Sequence, residues 1–146
     1  MKIAFATDHR GAVMRRQIIE HLKKLGHEVV DFGSDSEVSV DYPDYAAKAA
    51  GAVAAKKADR AILICGTGIG MGIAANKITG IRAAVCTDEY GARMARSHND
   101  ANVLALRSTS QYPATNLSIV DIFLTTEFEG GRHQARINKI RNLERI

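Results

Sequence analysis

Cys65 ends an apolar run and is followed by Gly66, Gly68, Gly70 and Gly72, glycines at every second residue of the stretch ICGTGIGMGIAANK, Ile64 to Lys77. A thiolate can act as a base or a nucleophile, and bare peptide N–H groups at the start of a helix can surround an anion. The same helix end favours thiolate over thiol. Known phosphate loops do not fit. No Gly-Lys pair follows four spacer residues, the third glycine of a dinucleotide loop would fall on Met71 or Ile73, and a low-molecular-weight phosphatase loop would need arginine at Met71. What survives is a thiol beside an anion cradle. Further candidates are Asp8 and His9 after the first apolar run, His98 and Asn99 before the last, and Arg132 with Arg136. The two arginines are four apart on a predicted helix, so their guanidinium forks project from one face toward one dianion.

Each candidate has a plainer reading. Cys65 reads as a small buried apolar residue, as Cys86 does inside its strand. Asp8 reads as a helix N-cap, His9 as a turn residue, His98 as a surface residue or C-cap, and the two arginines as a solvated helix face. His21, His27 and His133 are read as structural or peripheral.

The elements that must position these residues follow from periodicity. Lys2 to Thr7, Glu28 to Phe32, Ala61 to Cys65, Ile81 to Thr87 and Asn102 to Leu106 read as strands, most of them nearly continuous in apolar residues, as strands covered on both faces must be. Met14, Ile18, Leu22 and Leu25 recur at helical spacing, and Gly26 is a stop. Further helices fit Tyr45 to Lys57, Gly70 to Lys77, Glu89 to Ser97, Pro113 to Thr126 and Arg132 to Glu144. The alternation predicts an α/β sandwich with a five-stranded, mainly parallel sheet. Ligands of such sheets sit beyond the carboxyl ends of the strands. Asp8, His9, Cys65 to Gly72 and Ser97 to Asn99 are expected there, with His98 fitting the rule least well.

At 146 residues and 46% hydrophobic content the chain fits one domain, 1–146. Asp8, His9 and Arg10 interrupt the first apolar run too soon for a signal peptide, and no run reaches membrane-spanning length, so a cytoplasmic protein with no membrane partner is expected. Cys65 and Cys86 lack metal-ligand spacing, which sets a structural zinc aside. The net charge of +4 sits in the segment from Gly130 to Ile146, where Arg132, Arg136, Lys139, Arg141 and Arg145 face only Glu144. Without tryptophan or an aromatic residue near these arginines, a small anionic ligand is expected rather than nucleic acid.

Five motifs in order, DHRG (Asp8 to Gly11), DYPDYA (Asp41 to Ala46), CGTGIGMGIAANK (Cys65 to Lys77), HNDANVLAL (His98 to Leu106) and EGGRHQARI (Glu129 to Ile137), resemble the ribose-5-phosphate isomerase B family over nearly the whole chain. The resemblance implies a three-layer Rossmann-like sandwich and a sugar-phosphate aldose–ketose isomerase of the pentose phosphate pathway. It also implies work without metal or cofactor, in a homodimer or homotetramer whose active sites form where two subunits meet. By the same resemblance Cys65 is the base that moves a proton through an enediolate, and His98 opens the sugar ring. Thr67 and the N–H groups of Gly66, Gly68, Ile69 and Gly70 stabilise the enediolate. Asp8 orients a hydroxyl near the ring oxygen, Asn99 binds sugar hydroxyls, His9, Arg132 and Arg136 hold the phosphate, and Tyr42 closes the pocket. Some members use a glutamate at the position of Met71 instead of the cysteine. One stretch departs from the family: LRSTSQYP, Leu106 to Pro113, has Arg107 where a glycine is usual and Thr109 where a phosphate-binding arginine is usual. A six-carbon substrate, allose 6-phosphate or galactose 6-phosphate, is therefore an alternative. So is a non-catalytic sugar-phosphate or nucleotide-binding module, although the intact Cys65, Thr67 and His98 speak against it.

Overall fold

A computed structural model describes residues 1–36, 38–108 and 113–144, without the side chains of residues 113 and 114. The apolar runs form β1 (Lys2–Thr7), β2 (Glu28–Asp31), β3 (Arg60–Cys65), β4 (Ala83–Val85) and β5 (Val103–Arg107), and the periodic segments form α1 (Ala12–Lys24), α2 (Tyr42–Ala54), α3 (Ile69–Ala75), α4 (Glu89–Ser97), α5 (Pro113–Thr125) and α6 (Arg132–Leu143). The strands lie in the order β2-β1-β3-β5-β4, and every pairing is parallel. No helix among the described residues is long and apolar enough to cross a membrane.

Both faces of the sheet are covered, which is why the strands carry so few polar residues. On one face Ile3, Phe5, Ile62, Ile64, Leu104 and Leu106 meet Met14, Ile18 and Leu22 of α1 and the apolar sides of α4 and α5. Each such side chain contributes about 1.5–3 kcal/mol on burial. The other face is built from smaller residues: Ala4, Ala6, Ala61 and Ala105 meet Ala46, Ala49 and Ala50 of α2 and Met71 and Ala75 of α3. Cys65 belongs to this alanine-rich face. The result is the expected three-layer α/β sandwich.

Element boundaries move for local reasons. Helix α2 starts three residues before the predicted Tyr45 because Pro43 falls in its first turn, where a missing N–H costs nothing, and the alanines behind it are strong helix formers. Strand β4 is shorter than predicted. Ile81 N–H closes a turn on the Ile78 carbonyl (3.1 Å) and Arg82 N–H goes to the Asn102 side chain (2.8 Å), so the ladder begins only at Ala83.

With all strands parallel, the two edges of the sheet are chemically distinct. The carboxyl ends of β1 and β3 run into Asp8 and Gly66. Helix α4 starts after β4 at that edge and travels back, so Ser97 to Asp100 lie at the amino end of β5. The last helix attaches there too: Glu129 N–H bonds the Ser97 carbonyl (3.0 Å), Gly80 N–H bonds Glu144 Oε1 (2.9 Å), and His133 and Ile137 are the buried residues of α6.

Candidate active site

The carboxyl-edge group is built around the loop after β3. Cys65 is 4% exposed, and its Sγ accepts the Gly68 N–H at 3.2 Å. Gly68 has φ +78°, a left-handed turn, and a Cβ there would sit 2.9 Å from the Leu106 carbonyl carbon, so the loop lies flat on the end of β5 only because this residue is glycine. A Cβ on Gly70 would fall 2.6 Å from Tyr42 Cζ and 3.0 Å from its hydroxyl, which places the Tyr42 ring directly on the glycine loop. Thr67 is exposed, and its hydroxyl oxygen accepts the Ile69 N–H at 3.2 Å, leaving the O–H free to donate. The N–H groups of Gly68 and Ile69, expected to face an anion, are thus engaged within the loop. Those of Gly66 and Gly70 have no partner among the described residues.

Two more residues complete this edge. Asp8 is buried, and one carboxylate oxygen accepts the Gly11 N–H at 2.8 Å, closing the turn ahead of α1. The N-cap of that helix is Gly11 and it has no side-chain cap, so Asp8 is not an N-cap, and its other oxygen is not bonded among the described residues. His9 Nδ1 accepts the Val40 N–H at 3.2 Å. That bond makes Nε2 the proton-bearing nitrogen of the neutral ring and the one that can face a ligand.

The amino-edge group is built around a left-handed residue. Asp100 has φ +45°, and its carboxylate takes Arg82 Nη2 at 2.8 Å and Arg96 Nη1 at 2.9 Å. Arg82 also bonds the Asn99 carbonyl at 2.9 Å, fixing the turn that carries His98 and Asn99. The His98 ring stacks on His133 with centroids 4.2 Å apart and planes 10° from parallel. Glu129 Oε2 lies 3.9 Å from His98 Nε2 and 3.6 Å from His133 Nε2. His133 Nε2 is buried without a hydrogen-bond partner. Burial holds the His133 imidazole below its ordinary pKa, the neighbouring His98 and Arg132 push the same way, and Glu129 opposes them. Arg132 and Arg136 are exposed on α6 and pair with no carboxylate among the described residues. Beside Asn99 opens a groove of about 580 Å³, walled by β4 and by Ile140 and Leu143 of α6.

Donor atoms of His98, Glu129 and His133 lie within 4.8 Å of one another. An imidazole binds a metal along a lone pair in the ring plane at about 2.0–2.1 Å. In two parallel stacked rings those lone pairs run side by side and do not converge, so the cluster is an imidazole stack and not a metal cage.

The structure corrects the placement expected from sequence. His98 and Asn99 are not beyond the carboxyl ends of the strands, and they do not join Asp8, His9 and Cys65 within this chain. Cys65 is level with Arg107 and Ala61 with Val103, and Asn99 precedes Val103. At about 3.3 Å per residue the two groups are separated by at least about 13 Å along the strands. Arg132 and Arg136 go with His98. Glu129 and His133 were missed as partners of His98; EGGRH places them four apart in sequence, but Glu129 precedes α6 and is brought to His133 by the turn at Gly130 and Gly131, both with positive φ. Cys86 keeps its plain reading: burial pushes its thiol up to about 11. Arg107 ends β5 with an exposed side chain, whereas Thr109 and the rest of the departing loop through Tyr112 lie outside the described residues.

A family model described as Ribose/Galactose Isomerase matches residues 3–140. The chain is 48% identical over 143 residues to ribose-5-phosphate isomerase B of Escherichia coli, covering 98% of this chain and 96% of that one. Among solved structures, ribose-5-phosphate isomerase B of Clostridium thermocellum superposes with a TM-score of 0.95 at 53% identity, covering 99% of this chain and 98% of the other. The Mycoplasma genitalium ribose-5-phosphate isomerase B, solved with bound ribulose-5-phosphate, superposes with a TM-score of 0.93 at 45% identity, covering 99% and 96% of the two chains.

Proposed function

The chain belongs to the ribose/galactose isomerase family, and on that premise we propose that it is an aldose–ketose isomerase of the cytoplasm, interconverting ribose 5-phosphate and ribulose 5-phosphate. The observation that carries the chemistry is Cys65 Sγ held by the Gly68 N–H at the mouth of a loop with free peptide N–H groups. After the ring opens, the Cys65 thiolate takes the proton from the carbon beside the aldehyde. Negative charge then develops on the enediolate oxygens, where the Gly66 and Gly70 N–H groups and the Thr67 hydroxyl can meet it. The thiol returns the proton to the neighbouring carbon and is a thiolate again, while the proton of the second carbon's hydroxyl passes to the oxygen of the first, so that the aldehyde becomes an alcohol and the alcohol a ketone. Asp8 orients a sugar hydroxyl, His9 Nε2 reaches the phosphate, and Tyr42 covers the loop.

Ring opening and the remaining phosphate contacts fall to residues at the other edge of the sheet, about 13 Å or more away. A second copy of the chain supplies them: His98 of the partner subunit opens the ring, its Asn99 holds hydroxyls, and its Arg132 and Arg136 grip the phosphate. The functional unit is a homodimer with two such shared sites. The thin attachment of α6 to its own chain and the exposed Ile69 and Ile73 of α3 support this arrangement.

The test is a coupled assay of the purified protein on ribose 5-phosphate, allose 6-phosphate and galactose 6-phosphate. Turnover of the pentose phosphate is expected, with solvent deuterium appearing at the carbon beside the carbonyl, because a thiol proton exchanges with water. Turnover of a six-carbon sugar phosphate alone would replace the substrate. Turnover of none would leave the family fold without the activity.

A further inference from the structure

Arg10 stands beside the glycine loop and has no role in the reading above. It follows His9 at the carboxyl edge, and its side chain is laid along Gly66: the position of a Cβ on Gly66 is 3.0 Å from Arg10 Cδ and 3.8 and 3.9 Å from its Nη1 and Nε. Its backbone is pinned, because the Ser108 hydroxyl donates to the Arg10 carbonyl at 2.6 Å. Its guanidinium has no hydrogen-bond partner among the described residues. No carboxylate pairs with it among the described residues, and one oxygen of the nearby Asp8 is already occupied by the Gly11 N–H. A cation with no carboxylate partner among the described residues therefore lies against the loop whose peptide N–H groups at Gly66 and Gly70 are also without a partner among them. Both features raise the local positive potential at the same mouth.

We propose that Arg10 is a further binding residue of this site, its guanidinium contacting the phosphate of the sugar phosphate alongside His9. The proposal rests on the isomerase reading. A phosphate dianion can take two parallel N–H bonds from one guanidinium, a geometry a lysine cannot reproduce. An effect on the Cys65 thiolate is the weaker use of this cation, because Arg10 is exposed and its charge at a distance is screened by water and salt.

The experiment compares wild type, Arg10→Ala and Arg10→Lys, using isomerase kinetics and calorimetric titration with inorganic phosphate. Arg10 is exposed, so the variants should fold, which circular dichroism checks. In Arg10→Ala the KM for ribose 5-phosphate and the Kd for inorganic phosphate should both rise about tenfold to a hundredfold, the loss of a charge-assisted bond, while kcat stays within about twofold. Arg10→Lys should recover part of the binding and not all of it. Unchanged KM and phosphate Kd in Arg10→Ala would overturn the proposal while leaving the isomerase reading intact, as would a fall in kcat at constant KM. A wild type that turns over no sugar phosphate would overturn the isomerase reading. The phosphate titration would then still decide whether Arg10 binds the anion.

Discussion

The two edges of the central sheet do chemical work by different means. At the carboxyl edge almost everything is backbone: a buried thiol holds one N–H, glycines bring the loop against β5 and Tyr42, and the N–H groups of Gly66 and Gly70 have no partner among the described residues. At the amino edge the groups are side chains: two stacked imidazoles, a carboxylate beside them and two helix arginines that pair with no carboxylate among the described residues. In the proposed mechanism the first edge supplies the base and the anion hole but no ring-opening acid. In the same mechanism the second supplies the ring-opening group and cations but nothing to take a carbon-bound proton. Under the proposed function each edge would supply half of an isomerase site, and symmetric pairing of two chains would bring the unlike halves together twice.

The difference predicts unlike responses to substitution. The largest effect should come from Cys65→Ala, because the base has no substitute at its edge. Turnover should fall about a hundredfold to ten-thousandfold with KM nearly unchanged, the span expected for a general base. Near-normal turnover in that variant would remove Cys65 from the mechanism.

Glycine substitutions should separate the edges next. Gly68→Ala meets both a left-handed φ and the Leu106 carbonyl carbon at 2.9 Å, whereas Gly80→Ala at the amino edge meets φ +82° and nothing within 4 Å. The first should cost about 3 kcal/mol of stability and the second about 1 kcal/mol. Urea midpoints read the difference, and equal costs would mean that the loop does not depend on close backbone contact.

The smallest effect concerns the imidazole stack. The native His133 pKa lies below its ordinary value, so as pH falls through about 6.5 the unfolded chain binds the proton first and stability drops. That contribution is complete above the unfolded value and is lost on acidification. His133→Phe keeps a flat ring against His98 and carries no proton. Its urea midpoint should therefore decline less than that of wild type between pH 8 and pH 5. Equal slopes for His133→Phe and wild type would show that His133 is not held neutral by its burial.

Much of this was legible from the chain. Strands β1 and β3 and helix α4 lie where the apolar pattern puts them, because burial on both sheet faces or along one helix face leaves a periodic trace. The glycine loop was legible because alternating glycines beside a thiol have few structural explanations. The position of His98 was misjudged because the carboxyl-edge rule was extended to a residue that ends a helix, and in a parallel sheet the helix has by then carried the chain back to the other edge. The stack of His98 on His133 leaves no local signal at all. It depends on α6 returning to α4 through the Glu129 N–H to Ser97 carbonyl bond, a contact between segments some thirty residues apart.

The claim that one site is shared by two chains is tested most directly by mixing inactive Cys65→Ala protein with Arg136→Ala protein after reversible dissociation, at a substrate concentration low enough that the raised KM of the Arg136 variant leaves it nearly inactive. Random pairing at equal amounts makes half of the dimers mixed, and each mixed dimer carries one intact site and one doubly altered site. About one quarter of wild-type activity should return. No recovery, with subunit exchange verified by differently tagged chains, would contradict the shared site and require His98, Arg132 and Arg136 to reach Cys65 within a single chain.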